Sequence, residues 1–145
     1  MVLLLVLTAC GFSGLRDPSV PMGGTSRFDR IAFAGPWLPL ACIGPCPEIE
    51  RFEVGGEGRY RRFTGTTITH YDIVSPGVLR EVDRDETIVI MWVDTDFRTA
   101  AVGAASGQWA AILNRGDISE DRVTAALQIL EFNGWDVSKL RRVVP

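Results

Sequence analysis

The sequence predicts an all-β fold: an up-and-down antiparallel β-barrel of seven or eight short strands, with one C-terminal α-helix packed outside it. Three observations predict this. From residue 47 to 115, short β-like runs alternate with clusters of turn residues. The connections are only a few residues long, which makes sequential strands antiparallel neighbours. A single helical pattern follows, and then a short tail. Many strands in up-and-down order close into a barrel or stack as a sandwich. An outside helix accounts for strands that are apolar on both faces, one face turned inward and the other covered by the helix.

A first strand follows Trp37. "EIERFEV" (48–54) alternates and ends at "GGEG". "RYRRFTG" (59–65) and "TTITHYDIV" (66–74) come next, with Gly65 either kinking one long strand or separating two. "SPG" (75–77) turns into "VLREV" (78–82), and "DRDE" (83–86) turns into "TIVIMWV" (87–93). "DTD" (94–96) leads to "FRTAAVG" (97–103), and "AASG" (104–107) leads to "QWAAILN" (108–114). Asp117, Ser119, Glu120 and Asp121 then place caps and negative charge at a helix start. Val123, Ala126, Leu127 and Leu130 fall at i, i+3, i+4 and i+7, which makes one apolar face. Asn133-Gly134 stops the helix, and "WDVSKLRRVV" supplies a last strand.

With 145 residues the chain is the size of one domain, large enough to bury a core without metal or dense disulfides. Its formal net charge is −3 and its pI about 5.1. Sequence-independent nucleic-acid binding runs on phosphate neutralisation, so an acidic chain argues against that partner. Lys139 is the only lysine, and pairs such as Arg61-Arg62 and Arg141-Arg142 read as solvated strand faces.

The first residues, "MVLLLVLTAC", stand apart. Residues 2–7 are all apolar, too few to span a hydrocarbon core, which takes about 20 in a helix. They suit the h-region of a secretory signal. Leu7-Thr8-Ala9-Cys10 resembles the lipobox of bacterial lipoproteins, although no Lys or Arg precedes the apolar run. That resemblance implies a signal peptide over 1–9, acylation of Cys10 and a membrane anchor through it. Gly11 after the cysteine resembles outer-membrane sorting patterns, facing the periplasm. Residues 10–30, rich in Gly, Pro and Ser, then read as a flexible tether, with the folded domain over 31–145. The remaining Cys42 and Cys46 would sit in an oxidising compartment. Four residues of strand span about 13 Å, and a disulfide needs Cα atoms within about 7 Å. The two can pair only if Ile43-Gly44-Pro45 turns, which Gly-Pro favours. The alternative, a redox-active pair, lacks C-x-x-C spacing and a following helix.

Gly35-Pro36-Trp37, Thr95-Asp96-Phe97 and Asn114-Arg115 occur in this order along the meander. They resemble the G-x-W of the first strand, the T-D-Y turn between the sixth and seventh strands, and the arginine ending the last strand in the lipocalin family. The C-terminal half, including "WDVSKL", is similar to the bacterial outer-membrane lipoprotein branch. The resemblance covers residues 31–143. It implies that Trp37 and Arg115 stack to close one end of the barrel, with Gly35 and Asp96 beside them as structural residues. It also implies a small apolar partner, a fatty acid or lysophospholipid, in envelope lipid maintenance, and no cofactor. Pro36 and Pro39 remove two strand donors, and the stretch from Trp37 to Ile88 is shorter than is usual, so a shallow or filled barrel is the rival expectation. In that case the chain is a structural or adaptor lipoprotein.

Strand alternation nominates ligand-lining side chains. Trp109, Ala111 and Leu113 share a face with an inward Arg115. Tyr71 and Ile73 turn inward, with His70 and Asp72 outward. On the strand between, either Ile90 and Trp92 face inward or Val89 and Met91 do; Ile90 and Trp92 are taken as the candidates. Each also fits plain core packing. No catalytic residue is nominated. His70 is the only histidine, which excludes a multi-histidine metal site, and no nucleophile elbow or phosphate loop is present.

Overall fold

A computed structural model describes residues 14–143; Cys10 and the signal-like run lie outside the described residues. The order of elements is a one-turn helix α1 (Arg30–Phe33), strands β1 (Gly35–Pro36), β2 (Leu38–Ile43), β3 (Arg51–Val54), β4 (Arg59–Thr64), β5 (Thr67–Ser75), β6 (Val78–Glu81), β7 (Thr87–Val93), β8 (Thr99–Ala104) and β9 (Ala110–Asn114), then helix α2 (Glu120–Phe132), a 3-10 turn (Val137–Lys139) and β10 (Arg141–Arg142). All ten strands form one antiparallel sheet in the order β1-β3-β4-β5-β6-β7-β8-β9-β2-β10. Gly65 separates β4 from β5 and takes a left-handed φ of 56°.

The curl follows from how one strand is shared. β1 and β2 are two pieces of a single extended run, broken at Trp37. Gly35 and Pro36 pair with Phe52 and Arg51 of β3, whereas Leu38 to Ile43 pair with β9. The run therefore touches both margins of the meander and bends it into a half-barrel. Beyond Trp37 the other edge of β2 is taken by β10, with Arg141 opposite Cys42 and Arg142 opposite Ala41. A strand has only two edges, so β3 cannot follow β2 to the far end. The wall is closed at the Trp37 end, the base, and parted at the other, the mouth, where Pro39, Pro47, Ile49 and Thr64 border the gap.

Two apolar layers lie on the two faces of the sheet. The inner one holds Phe33, Trp37, Phe52, Tyr60, Tyr71, Leu79, Ile88, Ile90, Val93 and the even-spaced Trp109, Ala111 and Leu113. The outer one holds Val89, Met91, Ala101, Ile112 and, from α2, Val123, Ala126 and Leu130. The i, i+3, i+7 stripe of α2 thus covers the outer face of β7–β9, as its periodicity predicts. Ser119 caps the helix by accepting a hydrogen bond from the Arg122 N–H at 3.4 Å. Gly103 lets the sheet accept Trp135: a Cβ there would lie 2.8 Å from the indole.

Residues 14–29 differ from the expected tether. They run outside the sheet from mouth to base and are held throughout. Arg16 bridges Trp135, and its Nε donates to the Asn133 carbonyl at 2.9 Å. The Asp17 N–H donates to Gly134, the Asp136 N–H to Leu15, and the Thr25 N–H to Ile90, at 2.8 to 2.9 Å. Leu15 and Met22 join the outer apolar layer, and Phe28 reaches the inner one. The Gly and Pro content that suggests flexibility serves instead to follow a curved surface closely. The expected last strand shrinks to the two residues of β10, because Asp136 starts a 3-10 turn by accepting from the Ser138 N–H at 3.1 Å.

Candidate functional site

The base is built on Trp37, which is fully buried. Its indole N–H donates to the Phe33 carbonyl at 2.8 Å. The Phe33 ring, delivered by α1, stacks on the indole with centroids 4.8 Å apart. Phe52, Tyr60 and Phe28 continue this aromatic floor at 5.5 to 5.9 Å spacings, and the Tyr60 hydroxyl donates to the Arg30 carbonyl at 2.9 Å. Arg115 covers the other side, its guanidinium carbon 4.1 Å from the Trp37 centroid. Nε donates to Phe97, Nη1 to Ala34 and Nη2 to Ala32, all to carbonyls at 2.6 to 2.7 Å. Gly35, at φ 104°, is required here, since a Cβ would crowd Arg115 Nη1 at 3.2 Å. The structure thus brings Gly35, Trp37 and Arg115 together.

Asp96 stands differently. It is exposed, and only its backbone N–H takes part, donating to Asp94 at 3.2 Å. The acid that organises this turn is Asp94, which is buried. It accepts from the N–H groups of Arg98 and Thr99 at 2.6 Å each and so holds Phe97 at a left-handed φ of 54°. The sequence carries both aspartates in "DTDF", and only the turn geometry separates their roles.

Of the lining candidates, Tyr71, Ile90, Trp109, Ala111 and Leu113 lie in the inner layer and Ile73 packs against it. Trp92 does not. It packs against the outer layer, because the register with β8 shifts between Ile90 and Trp92. The extra residue puts both Met91 and Trp92 on the helix side and returns Val93 to the inside. The same device acts in β2, where the shift between Pro39 and Ala41 places both Leu40 and Ala41 outside and Cys42 inside. Cys42 and Cys46 are disulfide-bonded with Cα atoms 5.4 Å apart, through a turn in which Gly44 has φ 71°.

Toward the mouth the inner face becomes polar, which alternation alone did not nominate. Arg62 shares its face of β4 with Tyr60. Its guanidinium carbon lies 5.8 Å from the Tyr71 ring centroid, and its Nε is buried without a hydrogen-bond partner. Glu81 pairs across the ladder with Tyr71, and its side chain is 11% exposed. Glu86 accepts from the Trp109 indole N–H at 3.4 Å. Burial pushes the Tyr71 hydroxyl up to about 12; Arg62 opposes that rise, and Glu81 and Glu86 add to it. The signal in the sequence was there: Arg62 breaks an inward series that starts at Tyr60.

His70 and Asp72 lie on the outer face, where Asp72 is paired with Arg59 at 3.0 Å and Arg80 at 3.9 Å. Among the described residues no group of three His, Cys, Asp or Glu side chains is placed to hold a metal ion. Outside the half-barrel, an apolar recess of about 430 Å³ lies between Leu38, Leu40, Ile118 and Val143.

No protein-family model and no curated protein sequence matches the chain. Solved structures do. Aphrodisin, a sex pheromone from the female hamster, superposes with a TM-score of 0.58 at 8% identity, over 77% of this chain and 95% of that one. A deswapped triple mutant of bovine odorant binding protein superposes with a TM-score of 0.54 at 11% identity, over 77% and 93% of the two chains. At these identities the likeness concerns the fold, a curled antiparallel half-barrel with a helix packed against it, and that fold is lipocalin-like.

Proposed function

We propose that the chain binds or carries a small apolar ligand, of the fatty-acid or lysophospholipid class, from a membrane anchor at Cys10 in envelope lipid maintenance. The observation that carries this reading is the asymmetry of the half-barrel. One end is sealed by Trp37 and Arg115, while toward the other β2 and β3 part around a recess bordered by Pro39, Pro47, Ile49 and Thr64, of which Ile49 belongs to the apolar inner layer. Hiding a few hundred Å² of acyl chain there, at roughly 25 cal/mol per Å², gives useful affinity after the costs of association. The bovine protein, by its name, binds an odorant on a similar frame.

The anchor sets the orientation. Gly14 accepts from Lys139 Nζ at 3.1 Å. A Cβ at Gly44 would touch Leu15 at 2.7 Å, and one at Gly107 would touch Arg16 at 3.7 Å. Gly44 and Gly107 belong to the β2–β3 and β8–β9 connections at the mouth. Cys10 precedes Gly14 by four residues, a contour of at most about 14 Å. Acylated there, in the outer membrane facing the periplasm, the protein presents its mouth to the bilayer. Palmitate incorporation and membrane fractionation test the anchor, and Cys10→Ser should release the protein to the soluble fraction.

Native mass spectrometry of the delipidated full chain with added fatty acids tests binding. A one-to-one adduct with a change in tryptophan emission is expected; neither appearing would count against a pocket. A second reading has its own observation. The buried inner cluster, from Phe33 to Leu113, is at most 8% exposed, so its side chains pack against one another and fill much of the interior. On that reading the chain is an envelope adaptor without a ligand, and the same spectra show the bare mass alone.

A further inference from the structure

Among the described residues, Arg62 is an inward-facing cation that makes no ion pair. It sits midway along β4, opposite Phe52 of β3 and Thr69 of β5. Its Nε is buried and makes no hydrogen bond. The acidic groups that face the same space are Glu81 and Glu86, and both are engaged elsewhere. Glu81 lies 3.9 Å from the exposed Arg84, and Glu86 accepts from Trp109. Neither is within ion-pair distance of Arg62 among the described residues. A guanidinium presents donors in a planar fork that matches a carboxylate or phosphate. Left half-buried without an acceptor, it carries a desolvation cost that an incoming anion would relieve.

We propose that Arg62 is a head-group receptor. It binds the anionic oxygens of an amphiphile, a carboxylate or a phosphate, whose tail lies against Tyr71 and Ile73. This rests on the ligand-binding reading above and adds a requirement: the ligand is charged, and the charge stays at the mouth while the tail points toward the aromatic floor. Glu81 and Glu86 stand on the other side of Tyr71 from Arg62, so they repel an anion placed near them and confine it to the Arg62 side.

The test compares three ligands of one chain length on the delipidated full chain: dodecanoate, dodecyl phosphate and dodecanol, read by native mass spectrometry and tryptophan emission. Both anions should bind at least tenfold more tightly than the alcohol, and the margin should shrink as salt rises. Arg62→Gln should erase the margin by weakening the anions and leaving the alcohol unchanged, Arg62→Lys should keep part of it, and Glu81→Gln should strengthen both anions severalfold. Equal binding of alcohol and anions by the unaltered protein would overturn the proposal while leaving a carrier of apolar ligands. So would an Arg62→Gln variant that keeps the margin. Preference for one anion alone identifies which head group Arg62 takes. Binding of none of the three would remove the carrier reading and this proposal together.

Discussion

Arg115 at the base and Arg62 toward the mouth both turn toward the inside of the curl, and each lies near an aromatic ring. Arg115 is 4.1 Å from the Trp37 centroid and spends all three of its nitrogens on backbone carbonyls. Arg62 is 5.8 Å from the Tyr71 centroid and leaves a buried nitrogen unused. The difference teaches how the fold divides its labour. At the base, three chain segments converge with free carbonyls from α1, the α1–β1 link and the β7–β8 turn, and a guanidinium is the side chain that can serve all of them. Near the mouth, Arg62 is surrounded by regular ladder whose carbonyls are already bonded, so nothing in the backbone claims it. Charge at the base is structural, and charge near the mouth is available.

The largest test of this contrast is Arg115→Ala. It strands the Phe97 and Ala34 carbonyls and uncovers the Trp37 ring, and should cost about 3 kcal/mol in urea denaturation. Arg115→Lys should recover less than half, because an ammonium cannot reach three divergent acceptors. A cost below about 1 kcal/mol would break the comparison, since the base would then hold without its cation.

The two tyrosines extend the comparison to pH. They face each other across β4 and β5, the Tyr60 hydroxyl reaching Arg30 at the base and the Tyr71 ring lying beside Arg62, and they are the only tyrosines in the chain. Burial raises the Tyr60 hydroxyl far above its ordinary value, with Arg115 opposing and Asp29 adding; Tyr71 rises to about 12. Both hydroxyls are neutral when protonated and hold the proton more tightly in the folded state. Their contribution is therefore complete below about pH 10 and is lost as pH rises from there through 12. For Tyr71 alone this is about 3 kcal/mol. Absorbance at 295 nm should show no tyrosinate at pH 10.5, where a free phenol is mostly ionised, followed by a cooperative rise as the protein unfolds. Gradual ionisation of one residue near pH 10 would show that one end of the half-barrel is open to solvent.

A smaller effect separates the two aspartates of the β7–β8 turn. Asp94→Ala removes the acceptor of two 2.6 Å bonds, one buried and one partly buried, and should cost about 1.5 kcal/mol. Asp96→Ala, which removes an exposed carboxylate, should stay within about 0.5 kcal/mol. The pair also marks where the sequence stopped being readable. Strand order, the helix and its buried stripe, the disulfide turn and the Trp37–Arg115 pair were legible, because each follows from a period, a turn residue or a motif. The exchange of Asp96 for Asp94 was not, since it depends on which carboxylate a turn folds over. Trp92 could not be placed because a single bulge reverses parity, and nothing in "VIMWV" marks it. Residues 14–29 read as loose because composition reports the freedom of an isolated chain, not the surface of α2 and the sheet that they follow.

The smallest effect on stability is expected at Arg62, and it is the one that sharpens the contrast most. Arg62→Met replaces a half-buried, unpaired cation by an apolar chain of similar length. The lost packing is slight and the desolvation cost disappears, so stability should move by no more than about 0.5 kcal/mol, or rise. The signature lies in Tyr71. Arg62 is the neighbour that opposes the upward shift of its hydroxyl, against Glu81 and Glu86, so the variant should hold the Tyr71 proton more tightly, and the cooperative rise of tyrosinate should begin at the same or a higher pH, not a lower one. If Arg62→Met instead destabilises the protein as much as Arg115→Ala does, then the arginine near the mouth holds the fold together, just as the one at the base does. An incoming anion would then have no free partner there.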